Sequence, residues 1–429
     1  MKVYLDSIGC RLNQSEIETL ARQLLAQGHE LVSDPAVADK VVINTCAVTG
    51  EAAKDARKMT RRIHRGNPGA EILLTGCYAT IAPDELGIVN GAGRIVPNQD
   101  KDDLLQIIDP RASHPVAIYD REPIFRHLLT GSMGNTRAFV KVQDGCDNRC
   151  TFCVTTIARG QGQSRRLGDV VAEVQALAGA GYQEAVLTGV HLGSYGRDLG
   201  NGSDLGGLLK AILEHTDIGR LRISSLEPWD VAPGFFELWA DSRLLPHLHL
   251  PLQSGSNRIL RRMARRTTRE AFRDLVGQAR AHIPDVNLST DLIAGFPGET
   301  EADFAETLAF VREMAFARLH VFTYSRRPGT AAAAMDGQVP GALKKERAKR
   351  LLALGRELSL AFHSAYMGRT RPVLWESAVG ADTHGLKWIG YTDNYIRVTA
   401  SGGEESFNQV TPTRLTSPRA DGMLGQMMA

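Results

Sequence analysis

No apolar run in this sequence reaches the roughly 18 residues that a membrane-spanning helix needs. The opening, Met1-Lys2-Val3-Tyr4-Leu5-Asp6, meets an acid before the apolar core of a secretory signal could form. These absences point to a cytoplasmic protein with no membrane partner. Internal repeats and low-complexity segments are also missing, which leaves an ordinary globular chain. Its 43% apolar and 23% charged residues agree with that. An excess of one charge is lacking too: 50 Lys+Arg stand against 48 Asp+Glu, and a net +2 gives no bulk argument for a nucleic-acid partner. Cysteine is scarce, with six residues. In a reducing compartment these are metal ligands, catalytic groups or buried fillers rather than disulfides.

A length of 429 residues allows two or three domains. The first stretch alternates strand and helix. Val3-Tyr4-Leu5, Val41-Val42-Ile43 and Ile72-Leu73-Leu74 read as buried strands. Ser15 with Glu18 reads as a capping box opening a helix that Gly28 ends. Lys54, Arg57, Lys58, Arg61, Arg62 and Arg65 recur at steps of three and four, so a helix would gather them into one basic stripe stopping at Gly66-Asn67-Pro68. Such a stripe holds phosphates or is simply a solvated face. Arg261, Arg262, Arg265, Arg266 and Arg269 pose the same alternative.

Pro115, Pro123 and the run Gly131-Ser132-Met133-Gly134-Asn135 mark a linker. Six strand candidates follow: 138–142, 184–187, 220–223, 248–250, 287–291 and 318–323, with helical stretches between them. From about Met367 short strands alternate with Gly-, Asp- and Thr-rich turns. The expected fold is α/β: an N-terminal parallel-sheet domain over 1–125, a partial (βα)6 barrel over 130–365, and a small β-barrel over 366–429.

Cys10, Cys46 and Cys77 each sit just past an apolar strand. In an open parallel sheet the strand C-termini share one edge, so three distant thiols would meet there. Cys146, Cys150 and Cys153 instead lie within eight residues, after the first strand of the barrel. Three thiolates suit zinc or an iron–sulfur cluster. Structural zinc asks for a fourth ligand, and the closest histidines, His127 and His191, are far away in sequence. A 4Fe–4S cluster on three cysteines leaves one iron open for chemistry.

The Cys-x3-Cys-x2-Cys spacing, with Phe152 before the last Cys, resembles the radical SAM signature. Ser7–Gln14, Ile43–Thr49, Leu74–Tyr78, Leu187–Val190, His249–Ser256 and Thr290–Thr300 resemble motifs of the radical SAM methylthiotransferases, over essentially the whole chain. The resemblance implies a methylthiotransferase domain, a radical SAM domain and a C-terminal TRAM domain. It also implies S-adenosylmethionine (SAM) and two 4Fe–4S clusters, one on Cys146, Cys150 and Cys153 and a second on Cys10, Cys46 and Cys77. Phe152, Thr188, Gly189, Ser224 and Glu227 are the candidates for SAM contact. An electron donor such as flavodoxin or ferredoxin, and a sulfur source, are the implied partners. Val154-Thr155-Thr156-Ile157, Gln163 and His191 depart from the usual residues of the family.

The segments Gly9–Gln14 and Gly390–Val398 look most like the branch acting on threonylcarbamoyladenosine in tRNA. This predicts methylthiolation at C2 of that base, beside the anticodon. Exposed Tyr391, Tyr395 and Arg397 would then touch tRNA, together with Arg57, Lys58, Arg61, Arg62 and Arg65. The same chemistry on isopentenyladenosine or on an aspartate of a ribosomal protein is the alternative. A non-catalytic iron–sulfur RNA-binding protein is the remote one.

Overall fold

The computed structural model describes residues 1–112, 136–383 and 385–428. The expected linker lies outside these from residue 113 onward, as does any boundary between 125 and 130. The N-terminal sheet is parallel throughout. It contains β1 (Lys2–Ser7), β2 (Glu30–Leu31), β3 (Lys40–Thr45), β4 (Glu71–Gly76) and β5 (Arg94–Val96), in the order β2-β1-β3-β4-β5. Its central strands β3 and β4 are buried on both faces, which is why they read as unbroken apolar runs. Val42 and Leu73 face helix α1 (Arg11–Ala26) through Ile17, Leu20 and Leu24. Val41, Ile43, Ile72 and Leu74 face α2 (Gly50–Gly66) through Ala53, Ala56 and Ile63.

Helix α2 and its stop at Gly66 match the sequence expectation, and Thr49 caps it by accepting from Ala52 N at 3.1 Å. The start of α1 does not match. The helix begins one turn before Ser15, with Cys10 at the N-cap. Gly9, at φ +109°, ends β1 in a turn that only glycine adopts freely. Asn13 then ties the first turn down by donating to Ile8 O and Thr45 O at 3.0 and 3.2 Å. Ser15 is left buried inside the helix.

All six expected barrel strands are present: β6 (Arg137–Lys141), β7 (Glu184–Thr188), β8 (Arg220–Ile223), β9 (His247–His249), β10 (Asn287–Ala294) and β11 (Arg318–Thr323). They form two three-stranded parallel sheets, joined by a bridge between Ser225 and His249. Alternation sorts their faces. Ala138, Val140, Leu187, Leu221, Leu248 and Leu292 join the outer helices in the main core. Arg137, Phe139, Glu184, Arg222, His249 and Asp291 therefore turn inward.

The C-terminal strands β12 (Thr370–Asp382), β13 (Gly385–Thr392), β14 (Arg397–Gly402), β15 (Val410–Arg419) and β16 (Gly422–Met427) close a five-stranded barrel around Trp375, Val398 and Leu415. Its turn after β13 seats in the mouth formed by the first residues of β6 to β9. Arg137 Nη1 donates to the Tyr395 hydroxyl at 2.7 Å, and Arg220 Nη2 donates to Thr392 O at 3.2 Å. Tyr391 stacks on Tyr395 at 4.9 Å, and Arg222 lies over the Tyr395 ring at 4.5 Å. The two tyrosines are thus not the exposed rings expected from the sequence, because arginines and His247 occupy their faces. Arg397 is half-buried and pairs with Asp421 at 3.3 Å.

Candidate metal centres at the sheet edge and the barrel mouth

The C-termini of β1, β3 and β4 deliver Cys10, Cys46 and Cys77 to one edge, as the strand pattern predicted. The approach is close: a Cβ on Gly9 would sit 2.4 Å from Cys46 Cβ and 2.7 Å from its Sγ. Each thiol has a polar neighbour. Cys10 Sγ lies 3.6 Å from Asn13 Oδ1, and Val48 N donates to Cys46 Sγ at 3.4 Å. Asn98 Nδ2 and Arg159 Nε donate to Cys77 Sγ at 3.7 and 3.3 Å. Burial pushes the Cys46 thiol up to about 12, and the neighbouring Cys10 and Cys77 add to the shift. Cys10 keeps an exposed surface, yet desolvation by the protein around its thiol raises it too. A metal that displaces these protons would settle the edge.

Cys146, Cys150 and Cys153 lie on the loop after β6. Asn148 N and Thr155 N donate to Cys146 Sγ and Cys153 Sγ, both at 3.4 Å. Thr151 anchors the loop through its N–H to Met263 O at 3.0 Å and its hydroxyl to Arg262 O at 2.9 Å. Phe152 packs with Ile259, Met263 and Phe296. Burial pushes the Cys150 thiol up to about 11, against the pull of Arg265, whose Nη1 stands 3.8 Å from that sulfur. Arg265 comes from the second basic cluster but is buried. It pairs with Glu227 at 2.6 Å and lies over Trp229 at 4.4 Å. Among the described residues no three His, Cys, Asp or Glu side chains close on a single ion. A cubane spreads its thiolates over different irons, one each.

The remaining candidates lie at or just past the ends of β7 and β8. Thr188 ends β7 and is buried, and Gly189 lies tight against Gln143, whose Oε1 would be 3.1 Å from an added Cβ. Ser224 Oγ is buried without a partner. An orphaned hydroxyl just past the end of β8, three residues before Glu227, fits a polar ligand such as the methionine end of SAM. Glu227 is already committed in part, to Arg265.

The two cysteine sets are neighbours. Val154 and Ala158, just after Cys153, share a buried cluster with Cys77 and Tyr78. Arg159 bridges the two units. Its Nη1 reaches Glu16 Oε1 and Asp144 Oδ1, both at 2.9 Å, and its Nη2 reaches Asn13 Oδ1 at 2.8 Å. Lys101 and Lys141 complete the charge balance around Glu16, at 2.6 and 3.6 Å. This network lines an interdomain cleft of about 680 Å³. Sequence reading missed Arg159 and Arg265, because a single arginine in a loop or charge run carries no periodic signal.

The basic stripe is exposed at Lys54, Lys58, Arg61, Arg62 and Arg65. Arg57 is half-buried, bonded to the Tyr78 hydroxyl and 3.7 Å from Glu85.

Comparison with known proteins agrees with this layout. Residues 140–311 match the Radical SAM superfamily, and residues 2–95 match Uncharacterized protein family UPF0004. Threonylcarbamoyladenosine tRNA methylthiotransferase MtaB of Bacillus subtilis is 36% identical over 420 residues, covering 96% of this chain and 93% of that protein. The protein of the same name from Thermotoga maritima is 36% identical, covering 92% and 90%. The tRNA-2-methylthio-N(6)-dimethylallyladenosine synthase of Moorella thermoacetica is 34% identical, covering 98% and 97%. Among solved structures, the radical S-adenosylmethionine methyltransferase TsrM of Kitasatospora setae superposes with a TM-score of 0.56 at 15% identity, covering 77% of this chain and 75% of that one, which speaks for the fold alone. By its relatives and its domains, this chain belongs to the radical SAM methylthiotransferase family.

Proposed function

We propose that this protein adds a methylthio group to C2 of N6-threonylcarbamoyladenosine beside the anticodon of tRNA. Cys146, Cys150 and Cys153 hold one 4Fe–4S cluster with SAM, and Cys10, Cys46 and Cys77 hold a second. The observation that carries this is the meeting of Cys10, Cys46 and Cys77 at one sheet edge, packed against the helix that follows Cys153. When bound, the first cluster and SAM would supply the radical chemistry that removes hydrogen from C2, and the second cluster would supply sulfur whose methyl comes from another SAM. The chain's own residues do the rest. Thr188, Gly189, Ser224 and Glu227 seat SAM beside the loop, Arg265 and Arg159 supply N–H donors to cysteine sulfurs, and domain packing keeps water from the reacting carbon.

Relatives named for threonylcarbamoyladenosine support the choice of base. The exposed basic face of α2 fits tRNA phosphates. A domain division near 125–130 and 366 suits the N-terminal sheet, the two paired barrel sheets and the closed C-terminal barrel. The dimethylallyladenosine enzymes among the relatives keep the prenylated base as the second reading. An external electron donor such as flavodoxin or ferredoxin, and a sulfur source, belong to the same proposal, as does a cytoplasmic setting.

Two measurements test it. Iron after anaerobic reconstitution is expected at about eight per chain, falling to about four in a Cys146→Ala/Cys150→Ala/Cys153→Ala variant. About four falling to none would remove the second cluster. Transfer RNA from cells lacking the protein is expected to lose its methylthio-threonylcarbamoyladenosine. Its persistence would overturn the substrate.

A further inference from the structure

Arg11 follows Cys10 directly and opens α1, yet its guanidinium lies 4.8 Å from the centre of the Phe139 ring, on the inward face of β6. The side chain stays exposed. Among the described residues it makes one hydrogen bond, to Gln14 Oε1 at 3.0 Å, and pairs with no carboxylate. The opposite wall is β9, β10 and β11. Leu319 and Val321 pack on the outer core, so His320 faces inward with the same alternation. His320 meets His249 edge to face at 5.4 Å and stands within electrostatic reach of Arg11. His249 is matched with Asp291 at 3.3 Å and with Ser289 Oγ at 2.9 Å.

The inner carboxylates are therefore spoken for. Asp291 belongs to His249, and Glu184 belongs to Arg220 and Arg222. Among the described residues Arg11 offers a cationic fork that no carboxylate pairs, its guanidinium carbon over the Phe139 ring and its backbone beside a candidate cluster ligand. A planar fork takes a carboxylate through two parallel hydrogen bonds. An apolar branched group placed there would leave it unpaired and desolvated.

We infer that Arg11, with His320 beside it, binds the carboxylate of the substrate's N6 substituent, and that this contact separates a threonylcarbamoyl adenosine from a prenylated one. This rests on the substrate reading above and adds the residues that enforce it. A site built to bond a polar group rejects the analogue that lacks it far more strongly than an apolar pocket rejects an extra methylene.

The test is fluorescence anisotropy with the anaerobically reconstituted protein and anticodon stem-loop RNAs bearing threonylcarbamoyladenosine, isopentenyladenosine or plain adenosine. The unaltered protein is expected to prefer the carboxylate-bearing RNA. Arg11→Gln should bind that RNA about 10- to 100-fold more weakly and the plain RNA unchanged, with Arg11→Lys between them. His320→Phe should give a smaller loss of the same selectivity. Iron content and SAM affinity without RNA should not move. If Arg11→Gln keeps the full preference, the inference falls while the substrate reading stands. If Arg11→Gln weakens SAM instead, the carboxylate at this site is that of SAM and the inference falls. If the unaltered protein shows no preference, the inference falls, and turnover of each RNA decides the reading separately. Turnover of the prenylated RNA alone would overturn both.

Discussion

Arg265 shows how a charge that reads as surface becomes part of a site. Its side chain is 2% exposed, shared between Glu227 and the sulfur of Cys150. Removing it strands Glu227, at a cost of about 2–4 kcal/mol. Arg265→Lys keeps the charge but loses the fork, so it should recover only part. On the proposal that Cys146, Cys150 and Cys153 hold a cluster, loss of the N–H···S contact should lower its potential in a redox titration followed by electron paramagnetic resonance. An unchanged potential in both variants would mean that Arg265 only props up Glu227.

Gly9 makes the complementary case, since there the missing side chain matters. Its φ of +109° and the 2.4 Å approach of a built Cβ to Cys46 Cβ exclude any larger residue without moving the sheet edge. Gly9→Ala should cost about 1–3 kcal/mol from backbone strain and contact together. On the two-cluster proposal it should also halve the iron while leaving SAM binding intact. Full iron in a stable Gly9→Ala protein would show that Cys10 and Cys46 need not approach so closely.

At the scale of elements, the parts written in period and spacing were legible. The three strands ending in cysteine, the six barrel strands and the basic helix all follow from apolar runs and helical steps. What misled was local chemistry that tertiary contacts override. Ser15 and Glu18 have the spacing of a cap, yet Asn13 anchors the helix one turn earlier. Tyr391 and Tyr395 carry the residue types of an RNA platform, yet a mouth full of arginines takes their faces. On helix α2, Arg57 is drawn to Tyr78 and Glu85, but Lys58, Arg61 and Arg65 point to solvent. Replacing these three with Ala should leave thermal stability within about 0.5 kcal/mol per site. It should weaken tRNA binding and flatten the salt dependence by about 0.9 per lost phosphate contact. An unaltered slope would make the stripe a solvated face.

At the scale of the whole molecule, one buried carboxylate holds the C-terminal barrel's docking site together. Glu184 faces Arg222 at 2.9 Å and Arg220 at 2.9 Å, and these same arginines reach the carbonyls of Thr392 and Asp393. Burial alone would raise its pKa, but Arg222 and Arg220 hold it down at about 2. A carboxyl lowered on folding contributes stability that is present above its unfolded value near 4.5 and is lost as pH falls toward 2. Near-neutral chemistry is then insensitive to it, and acid is the probe. Glu184→Gln leaves two buried guanidiniums without their counter-charge and should cost about 3–5 kcal/mol at pH 7. The difference in stability between the two proteins, followed by near-ultraviolet circular dichroism in urea, should stay level from pH 7 to 5 and close between pH 4.5 and 2. A gap that persisted at the acid end would place the cost in shape rather than charge. A variant as stable as the parent at neutral pH would show that the Tyr395 turn, and not Glu184, organises the mouth.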